Sequence, residues 1–177
     1  MKKVGVRILV VLLCMPMVFA NPTETDSLPE GMPKAQEFTR VTIGLTSVLY
    51  VALAEFSYMM GEEIPGMSGS VDFMGNTTDV SWSDCDLGAL FSEDPSDAGS
   101  MIIKHGTHKV HIAGDTLENM IDVTISYHQD DELGGTYHIE YLSRTVHYGE
   151  EGEHEEVVAF LVDGKDIQDS IEALENL

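Results

Sequence analysis

Bases and cysteines are what this chain has least of. Nine lysines and arginines stand against 31 aspartates and glutamates in 177 residues, a formal net charge of −22. Three of the nine, Lys2, Lys3 and Arg7, sit at the very start. They are followed by the apolar stretch Ile8 to Met17 and the small-residue site Val18-Phe19-Ala20. A basic start, an apolar stretch and small residues at the cut make a secretory signal peptide over residues 1–20. Its removal after Ala20 leaves six bases against 31 acids, formally −25. A body this acidic repels phosphate backbones and anionic lipid heads, which argues against nucleic acid and membrane surfaces as partners. The charge suits solubility in a salty medium, where screening keeps self-repulsion small. The other reading of it is cation binding or a basic partner.

Of the two cysteines, Cys14 leaves with the leader, so Cys85 has no partner for an intramolecular disulfide. A free cysteine of this kind is expected to be a small buried hydrophobe. A lipoprotein reading would need Cys14 acylated, but the bulky Leu13 precedes it and Met15 to Ala20 would remain in the mature protein. The sequence also lacks a Gly-rich phosphate loop, a redox CxxC pair and a haem motif. Gly66-Met67-Ser68-Gly69-Ser70 misses the nucleophile elbow, which needs glycine where Ser70 stands. His154-Glu155-Glu156-Val157-Val158 begins like a zinc-protease helix and has no second histidine. Asn76-Thr77-Thr78 matches a glycosylation acceptor, a common triplet that matters only in a eukaryotic secretory pathway.

What remains is one α+β domain. Residues 21–34 carry three prolines and three acids with few large apolar groups, and read as a flexible acidic tether to a domain spanning 35–177. No proline occurs from Ala35 to Gly61, and Gly44 is the only glycine inside that stretch, so it is a long helix. Arg40, Ser47, Glu55 and Glu62 form a narrow polar stripe. Val41, Leu45, Val48, Leu49, Ala52, Leu53, Phe56 and Met60 cover most of the remaining girth, which predicts a helix enclosed by protein. Val41 to Met60 is long enough to cross a bilayer, but Glu55 and the outward placement of Lys34 and Arg40 argue against insertion.

From Gly69 to Gly164 the pattern is of short strands. Val71 and Phe73 turn through residues 75–78 into Val80 and Trp82. Met101 and Ile103 turn at His105-Gly106 into Val110 and Ile112. Ile121, Val123, Ile125 and Tyr127 face Tyr137, Ile139 and Tyr141 across residues 129–135. The opposite face of that third hairpin bears Asp122, Thr124, Ser126, His128, Thr136, His138 and Glu140. The apolar parity slips between Trp82 and Leu87 and again between Tyr141 and Val146, two expected β-bulges. Val157 to Val162 is apolar throughout and reads as a strand covered on both faces, leading past Asp163-Gly164 into a short helix with Ile167, Ile171 and Leu174 on one side. The expected architecture is a long N-terminal apolar helix packed in a curved antiparallel sheet. That sheet is a half-barrel-like meander of about six to eight strands, with a short C-terminal helix.

Two sites follow. An apolar ligand cavity between helix and sheet would be lined by Trp82, Tyr127, Tyr137, Tyr141 and Phe56, residues that equally suit an ordinary core. A divalent-cation site would use His128, His138 and Glu140, the two histidines being diagonal neighbours in the register drawn above, with the acidic loops 130–132 and 150–156 offering oxygen ligands. His105, His108 and His111 are spaced by three, but with Met101 paired to Val110, His108 lies on the apolar Val110 face, His111 on the opposite face and His105 in the turn, so they do not close a metal site. The sequence thus reads as a periplasmic or extracellular, non-enzymatic binding or interaction module. It has no cofactor beyond that candidate cation, and its partner is a hydrophobic small molecule or a protein. A cation-binding acidic surface protein is the alternative, and a hydrolase the third.

Overall fold

The strands that alternation marks pair in one seven-stranded meander, and the polypeptide turns back on itself at every connection. A computed structural model describes residues 35–72, 76–128, 133–149 and 153–175. The leader, the tether, the tip of the first hairpin at 73–75 and the acidic loop residues 129–132 and 150–152 lie outside the described residues.

The elements are α1 (Ala35–Met59), β1 (Met67–Asp72), β2 (Thr77–Asp86), α2 (Leu87–Phe91), a 3₁₀ turn (Pro95–Asp97), β3 (Met101–Ala113), β4 (Thr116–Tyr127), β5 (Gly135–Val146), β6 (His154–Val162), β7 (Lys165–Asp166) and α3 (Gln168–Glu175). Strand order follows chain order from β1 to β7, all antiparallel. The expected α+β class, with a long N-terminal helix, an antiparallel sheet and a short C-terminal helix, is the architecture found. The core lies between α1 and one sheet face, where Val80, Trp82, Cys85, Ile103, Val123, Ile125, Ile139, Phe160 and Val162 are buried. Gly44 lets α1 come close to the sheet end. A methyl group there would stand 2.8 Å from Cδ1 of Ile167 and 3.1 Å from Cε2 of Phe160.

The second expected hairpin does not form. β3 runs unbroken for 13 residues through His105-Gly106, and its turn is Gly114-Asp115, leading into β4. Gly106 lies within the strand, at a position that takes glycine because its φ is +150° and a Cβ there would collide with the Asp122 carbonyl oxygen on β4. The bulge expected after Trp82 is present. Asp84 adopts φ 50° and Lys104 is the extra residue of β3 against β4, so Cys85 returns to the core face. Lys104 Nζ lies 3.6 Å from Asp84 Oδ1, joining the two irregular positions.

Two further expectations need correcting. β5 keeps strict parity, because Ser143 and Thr145 continue its core face as buried polar residues. The bulge is in β6, where Ala159 and Val157 pair with Leu142 and Ser143 and leave Val158 between them. Nor is β6 covered on both faces: Phe160 and Val162 are buried, whereas Val157 and Val158 are 43% and 40% exposed.

Candidate functional site

The helix α1 is turned the opposite way from the one its composition predicts. Two members of its polar stripe face the sheet. Ser47 is fully buried with Oγ 3.0 Å from the Tyr127 hydroxyl. Glu55 is 1% exposed, with Oε1 2.6 Å from His108 Nδ1. The other side of the ring is also engaged, His108 Nε2 lying 2.8 Å from Asn119 Oδ1. Both ring nitrogens thus meet side-chain oxygens, so the ring is held from α1 on one side and from β4 on the other. A lone acid in an apolar helix has to find such a partner, since an uncompensated charge at this depth costs several kcal/mol.

The apolar side of α1 faces outward over its C-terminal half. Leu53, Phe56, Met59 and Met60 are 40%, 51%, 40% and 66% exposed, and Leu49 is half-buried. Full enclosure is found only near residues 41–44, so the expectation that Leu49 and Phe56 lie in the core is overturned. Beside this face stands α2, whose Phe91 ring packs 5.5 Å from the Tyr50 ring and is itself 37% exposed. Asp86 fixes α2 there, accepting from the Ala89 amide at 3.0 Å and from the Gly99 amide at 2.8 Å.

The residues expected to line a ligand cavity are divided by the helix. Trp82 and Tyr127 are buried on the sheet, and the Trp82 indole N–H finds no acceptor among the described residues. The Tyr127 and Tyr137 rings meet edge-on at 6.2 Å, and Tyr141 meets Phe160 at 5.1 Å. Phe56 is on the far side of α1 from them. Burial pushes the Tyr127 hydroxyl up to about 12 against the pull of its Ser47 bond, and burial likewise raises Tyr141. A depression of about 260 Å³ lies elsewhere, on β1 to β3 among Ser70, Thr77, Thr78, Asp79, Lys109, Val110 and His111.

The expected cation ligands are not drawn together as the sequence register implied. β4 and β5 pair with Thr124 opposite His138, two positions from that register. Four residues, roughly 13 Å of strand, separate Thr124 from His128. His138 instead sits with acids: Nε2 is 2.8 Å from Asp122 Oδ1, Nδ1 is 3.6 Å from Glu140 Oε1, and its amide donates to Asp163 Oδ1 at 2.9 Å. No group of three His, Cys, Asp or Glu side chains among the described residues is arranged to hold a metal ion. On the same solvated face, Glu118 joins His111 at 3.4 Å and Arg144 at 2.8 Å across three strands. His105 is exposed on β3, and Cys85 is buried, its thiol raised to about 11 by burial and then by the Asp86 charge.

The sequence alone placed His108 on the packed face of its strand but did not join it to Glu55. The available signal was chemical: one acid within the apolar stretch Val41 to Met60, and one histidine on an apolar strand face. No family model, curated protein or solved structure matches the chain.

Proposed function

We propose that this is an exported, non-enzymatic interaction module that docks another macromolecule through the outward face of α1. The observation carrying this reading is the inversion of the helix: its polar groups bond the sheet while Leu53, Phe56 and Met60 stand in water. Apolar side chains gathered on one helix face in an otherwise highly acidic protein lose free energy by staying wet, and a docked surface recovers it. The signal peptide supports export, and the length of α1 is accounted for without a membrane by its two buried polar contacts to the sheet. The helix stretch Gln36–Met59 has the length and hydropathy of a membrane span, yet Glu55 within it is buried against the sheet, Oε1 2.6 Å from His108 Nδ1.

A photo-crosslinking amino acid placed at position 56, in protein made in its own host, tests the reading. Irradiation is expected to give a protein adduct at position 56 and none at Thr124 on the solvated sheet face. Absence of an adduct at position 56 overturns it.

A further inference from the structure

We infer that the occupant of this face is the same face of a second copy, with the two α1 helices antiparallel. This rests on the interaction reading above and names its partner. Leu49, Ala52, Phe56 and Met59 recur at intervals of three, four and three residues, the seam that lets two helices interlock side chains. In an antiparallel pair with its two-fold axis beside residue 54, Leu49 meets the second copy's Met59 and Phe56 lies over the second copy's Ala52. The bulkiest residue of the seam then fills the space left by the smallest. The axis falls at the middle of the segment from Leu49 to Met60 that the fold leaves accessible.

Charge favours a second copy over a basic partner. A copy bearing the same large negative charge is repelled by most of this surface, but between Arg40 and Glu62 the only ionisable acid of α1 is Glu55, which faces inward and is paired. The seam is therefore free of like-charge contact, and the remaining repulsion is screened beyond roughly 8 Å at physiological salt. Area sets the strength. Even with all that Leu53, Phe56, Met59, Met60 and Phe91 expose covered, two copies bury at most roughly 1,000 Å², the lower limit for a specific interface. The association is accordingly a weak one, populated at micromolar concentrations and above.

The experiment uses the mature exported protein. Sedimentation at about 100 µM is expected to show a dimer that dissociates on dilution, and Phe56→Glu is expected to be monomeric at that concentration with the melting temperature of the diluted, monomeric parent. Mixing Leu49→Cys with Met59→Cys under oxidation is expected to give the mixed disulfide, with little homodimer of either variant. A monomer at 100 µM, a dimer unaffected by Phe56→Glu, or homodimeric disulfides from Leu49→Cys alone overturns the pairing. Flotation of the protein with phosphatidylcholine vesicles overturns it too. The adduct mass at position 56 separates the two claims. Twice the chain mass supports the second copy, another protein's mass removes it while leaving the interaction reading, and no adduct removes both.

Discussion

Glu55 on α1 and His108 on β3 are 53 residues apart in sequence and 2.6 Å apart in the fold, both almost fully buried. With Ser47 and Tyr127 they form the polar attachment of the helix to the sheet. A buried pair of this kind adds little net stability over an apolar pair of equal volume, but removing one member strands the other charge.

Glu55→Leu and His108→Leu are each expected to cost about 3 kcal/mol or more, while the double replacement costs much less than their sum. Urea denaturation of the four proteins measures this coupling. Additive losses would show that the pair is not a unit.

How α1 sits was only half legible in the sequence. Helix length, the absence of proline and the apolar content were plain. Which face turns inward was not, because the rule that polar residues face water fails where two polar groups can satisfy each other. Ser47 and Glu55 turn inward because Tyr127, His108 and Asn119 wait on the sheet, and periodicity along one segment contains no information about a partner on another.

Val51 and Leu53 put that orientation to a direct test, being two residues apart and 0% and 40% exposed. Val51→Asp places an unpaired carboxylate in the core and is expected to leave the protein unfolded. Leu53→Asp is expected to shift stability by no more than about 0.5 to 1 kcal/mol. Circular dichroism melts distinguish them, and equal losses at both sites would show that α1 is enclosed after all.

The sheet was more legible than its register. Strict alternation in β4 and β5 located the core faces correctly, with Val123, Ile125 and Ile139 fully buried. It did not locate the loop ends, and sliding one strand by two residues preserves every inward side chain while moving each cross-strand neighbour. That slide is what takes His138 away from His128 and sets it beside Asp122. His105-Gly106 misled for a related reason. Glycine marks turns by its φ, but here it is required by the close approach of the Asp122 carbonyl within an uninterrupted strand.

Alkaline pH should weaken the fold through Cys85 and Tyr127. Burial favours the neutral thiol and the neutral phenol, raising them from 9.0 to about 11 and from 10.0 to about 12. Both groups hold their protons more tightly in the folded protein than in the unfolded chain, so stability falls as pH rises past the unfolded values. The contribution is complete below about pH 9, declines from there, and is lost once pH passes the folded values near 11 and 12. Denaturation midpoints between pH 8 and 11.5 are expected to fall, and Cys85→Ala is expected to flatten the earlier part of that decline. Because the thiolate is the reactive species, the native thiol should also resist a disulfide reagent at pH 8 and react only when the protein is unfolded. Rapid labelling of native Cys85 would place it at an accessible position and remove both expectations. Tyr127→Phe, which gives up the bond to Ser47, should cost about 1 kcal/mol at neutral pH while lessening the later alkaline loss. If that variant declines as steeply as the parent above pH 10, Tyr127 is not the group responsible.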